Sequence, residues 1–117
     1  MGHIGESKLL RIFIGESDKL KHSPLYEAII RAARAQKLAG ATAWRGCMSF
    51  GPTSHFRTAK ILDLSVDLPV IIEIVDTKDK IDTFIPVLNE MFEKSQCGGL
   101  VTIEKIETIR YSHGTNH

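Results

Sequence analysis

The sequence predicts an α+β fold whose elements follow the order strand, helix, strand, strand, helix, strand. Two apolar runs rich in branched side chains, residues 9–14 and 69–75, have the composition of central strands. Two other stretches place apolar side chains three and four residues apart, the spacing of a helix with one buried face. Gly51-Pro52 and Gly98-Gly99 interrupt these patterns where a chain must turn. With 117 residues and 43% hydrophobic content, the chain can supply one core and is read as one domain.

Each element has its own signal. The run Leu9-Leu10-Arg11-Ile12-Phe13-Ile14 stops at Gly15 and reads as a central strand with both faces largely buried. Ser23 offers an N-cap oxygen and Pro24 suits a first helical position. Leu25, Ala28, Ile29, Ala32 and Ala35 then fall on one face of a helix that ends near Gly40. Residues 42–50 resume extended character, with Trp44 and Cys47 inside the strand. Residues 60–64 read as a short strand or a loop stem. Asp76 and Thr77 can cap a second helix carrying Ile81, Phe84, Ile85, Leu88, Met91 and Phe92 on its buried side. Pro86 within it predicts a kink or a late start. After Gly98-Gly99, apolar positions shift phase from Val101 and Ile103 to Ile106, Ile109 and Tyr111, which predicts a bulge or two successive strands.

This order is the split βαβ arrangement of a ferredoxin-like sandwich, in which both helices cover the same face of a four-stranded sheet. The other face has no third helix to cover it, so self-association is the economical way to bury it. The domain is expected over residues 8–111, between a flexible N-terminal segment (1–7) and a flexible tail (112–117).

Composition excludes several functions. A formal net charge of +1 provides no field for gathering polyanions, and no RNP-like aromatic motif accompanies the strands, so nucleic acid is not an expected partner. Neither Cys47 nor Cys97 sits in a CxxC pair, and no signal peptide or membrane-length apolar run occurs, which points to a cytoplasmic location. The five histidines lack ligand spacing; only His55 and Cys97 fall on loops suited to function, and no metal site is assigned. Cys47, on a strand expected to be buried, has no base nearby in sequence, so no catalytic residue is named. Trp44 is expected in the core or at a subunit contact. The two glycine loops, Ser49-Phe50-Gly51-Pro52 and Gln96-Cys97-Gly98-Gly99, could be plain turns or could bring backbone amides to a phosphate, and spacing leaves both open.

Several motifs resemble one family in order along the chain: residues 10–18 (Leu-Arg-Ile-Phe-Ile-Gly-Glu-Ser-Asp), Pro24-Leu25-Tyr26, Gly40-Ala41-Thr42, Arg45-Gly46 and Phe50-Gly51. They are similar to the bacterial and archaeal PII-like proteins of the domain-of-unknown-function 190 group. Ser49-Phe50-Gly51 is more distantly similar to the glycine-phenylalanine-glycine at the T-loop root of true PII proteins, and Ile109-Arg110 to their terminal strand.

The resemblance implies a homotrimeric signalling protein, not an enzyme, that binds an adenine nucleotide as regulatory ligand in clefts between subunits. By similarity, the cleft would be framed by Ser49, Phe50 and Gly51, by Glu73 and Val75, and by Gly98 and Gly99. Arg110 would contact phosphate, and Arg45, Arg57 and His55 would supplement it. A short T-loop, residues 52–58, would switch contacts with a client protein, and gene neighbourhoods in the group hint at a membrane transporter. Two departures qualify the pattern. Ser49 stands where the family favours glycine, and no lysine follows Gly98-Gly99, so AMP or ADP is expected to bind at least as well as ATP, with adenine against Phe50 and Val75. The alternative is a trimeric metal-binding protein of the copper-tolerance type. An acylphosphatase ranks third, because its phosphate-loop motif is missing.

Overall fold

The computed structural model describes residues 5–51, 56–58 and 67–114. Four strands form an antiparallel sheet: β1 (Gly5–Gly15), β4 (Ala41–Arg45), β7 (Pro69–Asp76) and β8 (Leu100–Thr108), in the spatial order β4-β7-β1-β8. Helices α1 (Leu25–Ala35) and α2 (Lys78–Ser95) provide the crossovers. Two small hairpins complete the elements among the described residues, β2 (Lys19–Leu20) with β3 (Ser23–Pro24), and β5 (Met48–Phe50) with β6 (Phe56–Thr58). This is the ferredoxin-like sandwich that the order of elements predicts.

Register decides which side chains meet the helices. Leu10, Ile12 and Ile14 of β1 lie opposite Ile74, Ile72 and Val70 of β7, and all six are buried. They pack with Leu25, Ile29 and Ala33 of α1 and with Ile81, Phe84 and Leu88 of α2 into one core. Successive strand residues alternate in direction, so Leu9, Arg11 and Phe13 share the opposite face with Ile71, Glu73 and Val75. Among the described residues, no helix covers that face. β1 is thus buried on one face and half-buried on the other.

Several boundaries differ from the sequence reading for identifiable reasons. β1 begins at Gly5, because residues 5–7 pair with the end of β8, and the Ser7 hydroxyl meets the Thr108 hydroxyl at 2.8 Å. Ser23 does not cap α1: it pairs with Leu20 in the β2-β3 hairpin, leaving Pro24 at the N-cap position without a side-chain bond. The Leu25 amide donates instead to the Asp18 carbonyl at 2.8 Å. The buried stripe of α1 runs through Ala33 and not Ala35. The helix stops at Ala35 because Lys37 turns left-handed (φ 61°), and the Leu38 amide bonds back to the Ala33 carbonyl.

The second predicted strand divides in two. β4 ends at Arg45, where Gly46 packs so tightly on Pro69 that a Cβ would lie 2.9 Å from its ring, and β5 starts a separate hairpin at Met48. Cys47 falls between them and is exposed, against the expectation of a buried strand position. α2 starts at Lys78, capped by the Thr77 hydroxyl, and runs through Pro86 to Ser95 as one helix, so no late start occurs. Pro86 faces solvent, where water can satisfy the carbonyl it deprives of a partner. β8 contains no bulge: each residue from Leu100 to Thr108 has one partner on β1 with none skipped. The shift of apolar phase is a change in the face that is used. Val101 and Ile103 point to the helix side, Ile106 points to the open face, and Ile109 and Tyr111 lie beyond the strand. Residues 60–64 lie outside the described residues.

Candidate functional site

The open sheet face carries a polar centre in an apolar surround. Arg11, in mid-β1, donates from Nε to the Glu73 carboxylate at 2.8 Å and from Nη1 to Glu104 at 2.9 Å. Trp44 Nε1 approaches the other Glu73 oxygen at 3.4 Å. The hydrogen bond that Arg11 donates to Glu73, with the two nearby carboxylates, raises the basicity of the guanidinium and keeps it charged. Trp44 is 49% exposed on this face, so it is not a core residue of the single chain.

At one end of the same face lies a cavity of about 870 Å³, walled by Ser7 and Leu9 of β1, Thr42 of β4, Glu73 and Val75 of β7, Ile106 of β8, and Arg110 just beyond that strand. Its volume is in the range of small-ligand sites. The chain after β8 closes it, since the Tyr111 hydroxyl donates to the Ala39 carbonyl in the α1–β4 connection. That connection is itself anchored by buried Asp76, whose carboxylate accepts from the Ala39 amide at 2.9 Å and from the Thr77 amide at 2.7 Å. Gly40 belongs to the same junction, for a Cβ there would lie 3.3 Å from the Tyr111 hydroxyl.

The structure separates the residues singled out from sequence into two groups. Glu73, Val75 and Arg110 line the cavity. Arg45, Ser49, Phe50, Gly51, Gly98 and Gly99 do not. Arg45 sits at the far end of β4, paired with Glu16 at 2.5 Å. Ser49 and Phe50 lie in β5, with Phe50 66% exposed, and Gly51 follows in the open. Gly98 and Gly99 connect α2 to β8 beside the end of β1. A Cβ on Gly99 would lie 2.9 Å from the Phe13 carbonyl oxygen and 2.8 Å from the Phe92 ring, whereas one on Gly98 would meet nothing within 4 Å. Arg57 lies in β6 opposite Ser49, with its side chain outside the described residues, as is His55. Among the described residues, no group of three or more His, Cys, Asp or Glu side chains is placed to hold a metal ion.

Arg11, Glu104 and Tyr111 were not singled out as site residues. Arg11 could have been: a charge midway through an apolar strand must point to the face that the helices leave open.

Residues 7–108 match the model of the DUF190 family, described as "Uncharacterized ACR". The chain belongs to this family. Among curated relatives, a UPF0166 protein of Aquifex aeolicus is 35% identical over 104 residues, covering 89% of this chain and 94% of its own. A UPF0166 protein of Methanocaldococcus jannaschii is 33% identical over 98 residues, covering 84% and 87%. Among solved structures, the fold is similar to that of CPII, a nitrogen regulatory PII-like protein from Thiomonas intermedia K12 bound to ADP, AMP and bicarbonate. That match has a TM-score of 0.70 at 14% identity and covers 94% of each chain. The DUF190 chain therefore has the PII-like form of the ferredoxin-like sandwich. No helix among its described residues is long and apolar enough to cross a membrane.

Proposed function

We propose that this protein is a PII-like regulator that assembles as a homotrimer and binds an adenine nucleotide, AMP or ADP in preference to ATP, in clefts between subunits. The observation that carries this reading is the cavity on the open sheet face. It combines an arginine able to hold phosphate, a carboxylate able to accept from ribose or adenine, and apolar walls from Leu9, Val75 and Ile106.

The division of the remaining candidates supports the intersubunit form of the site. Gly98 and the Ser49–Gly51 turn lie at the opposite end of the sheet from Arg110, so one chain cannot bring them to the same ligand. A neighbouring copy packed against the open face can. Of the two glycines, Gly98 leaves space for a phosphate to approach the backbone, whereas Gly99 is required by packing against Phe13 and Phe92. In this reading Phe50, largely exposed in the single chain, covers the adenine across the interface. The segment from Pro52 to Arg57 is then the element whose client contacts respond to occupancy, provided the nucleotide has different affinities for the two arrangements. Similarity of fold to a protein bound to ADP and AMP agrees with this choice of ligand.

Calorimetry with AMP, ADP, ATP and adenosine, alongside light scattering, tests the proposal. AMP and ADP should bind at least as tightly as ATP. Arg110→Ala should weaken AMP and ADP by about tenfold and leave adenosine unchanged, the loss of one charge-assisted contact. Tight binding of ATP alone, intact phosphate discrimination in Arg110→Ala, or a stable monomer at working concentration would refute it.

A further inference from the structure

A second concavity lies on the outer side of the helix layer, across the sheet from the cavity above. It has a volume of about 560 Å³, between α1, α2 and the β2-β3 hairpin. Its floor is apolar: Ala28 and Ala32, one turn apart on α1, face Val87 and Met91, one turn apart on α2, with Leu20 at one end. The two alanines keep the groove open where larger side chains would fill it. Met91 can adjust its shape to an occupant.

The mouth of the groove is basic. Lys94 pairs with Glu90 at 2.7 Å, and this contact holds the Glu90 carboxyl below its usual range, so the two cancel. Lys21 and His22 form the two-residue tip of the hairpin and have no ion pair or side-chain hydrogen bond among the described residues. Lys21 is held with φ at 57°, a left-handed conformation that tight hairpin turns normally assign to glycine or asparagine. The chain thus keeps a cationic side chain at a position where glycine would relieve the backbone. An apolar trough with an unneutralised cation and an imidazole at its rim matches a ligand with an apolar body and one anionic end.

We infer that this groove is a binding site for an amphipathic carboxylate, its apolar body on Ala28, Ala32, Val87 and Met91 and its carboxylate hydrogen-bonded to Lys21 and His22. The site is independent of the nucleotide reading. Assembly through the open sheet face leaves it accessible, and its occupancy can be followed on the full chain without nucleotide.

Octanoate and its uncharged counterpart octan-1-ol are suitable probes, followed by amide chemical shifts and calorimetry. Octanoate should shift the amides of Lys21, His22, Ala28 and Met91 and bind about tenfold more tightly than octanol, the value of one charge-assisted contact. Lys21→Gly relieves the backbone while removing the cation, so it should fold and bind octanoate no better than octanol. Ala28→Leu should weaken both probes by occupying the floor. Equal binding of octanoate and octanol, shifts confined to the open sheet face, unchanged octanoate affinity in Lys21→Gly, or no octanoate binding at millimolar concentration would overturn the assignment.

Discussion

Gly98 and Gly99 stand side by side before the last strand, yet alanine should have opposite effects at the two positions. At Gly99 the added Cβ would lie 2.8 Å from Phe92 Cε1, 2.9 Å from the Phe13 carbonyl oxygen and 3.0 Å from Ile14 Cγ2. The Phe92 ring can rotate slightly, but the Phe13 carbonyl belongs to the centre of the sheet, where Phe13 pairs with both Ile71 and Leu100. The sheet must therefore give. Overpacking of this kind costs about 1–3 kcal/mol. Replacing glycine also restricts the unfolded chain, which returns about 0.4–1 kcal/mol. Packing wins, and Gly99→Ala should be destabilised by roughly 1–2 kcal/mol. At Gly98 no atom lies within 4 Å of the new Cβ, so only the chain-entropy effect remains and Gly98→Ala should be as stable as the parent or slightly more so. Urea unfolding at one fixed protein concentration measures both, since the proposed assembly would make stability concentration-dependent. Equal stability of Gly99→Ala and the parent would show that the α2–β8 connection does not pack as described.

Two further outcomes are expected. Asp76→Ala removes the buried acceptor for the half-buried Ala39 amide and should cost about 1–3 kcal/mol in urea unfolding, where Asp76→Asn, which keeps one acceptor oxygen, should cost less. The Asp82 carboxyl is held below its usual range chiefly by its hydrogen bond to Lys78, with Lys8 adding a weaker attraction, so its contribution is present above the ordinary aspartate range and is lost as pH falls through the lower folded value. Asp82→Asn should accordingly be less stable than the parent at pH 7 and converge with it in acid, and high salt should shrink the neutral-pH difference because the groups are exposed; an unchanged gap in acid would refute the linkage.

Much of the fold was legible because period and chemistry coincide in the core. Branched apolar runs at residues 9–14 and 69–75 marked two strands, and three-and-four spacing from Ile81 to Phe92 marked a helix that survives Pro86. Failures occurred where local preference met a longer-range pairing. Ser23 has every quality of an N-cap, but its backbone is claimed by a hairpin that sequence periodicity cannot register over two residues. Cys47 looked like a strand residue because nothing in the residue types of 42–50 reveals how closely Gly46 must meet Pro69. The phase shift along residues 101–111 predicts a bulge or two successive strands, but an edge strand apolar on both faces produces the same pattern. The candidate site was less legible still. Glycine loops and arginines can be found in a string, but their grouping by sheet end depends on strand direction.

That grouping bears directly on the proposed preference among nucleotides. The cavity containing Arg110 is also walled by Glu73, Asp76 and Glu107, so carboxylates outnumber its single arginine. Glu73 already accepts from Arg11, and Asp76 from two backbone amides, which commits both as acceptors and leaves neither able to donate to a phosphate. Arg11 cannot turn toward the ligand without abandoning Glu73 and Glu104 together. At the far end of the sheet, Arg45 is engaged with Glu16, so in the proposed assembly a neighbouring copy would deliver it only by breaking that pair. Each phosphate beyond the first or second adds negative charge that no uncommitted cation in the cavity compensates, and such charges withdrawn from water cost several kcal/mol, roughly. The same carboxylates suit the other end of a nucleotide, whose ribose hydroxyls and adenine amino group are donors. On this charge balance the proposed cleft discriminates by repelling the third phosphate more than by gripping the first.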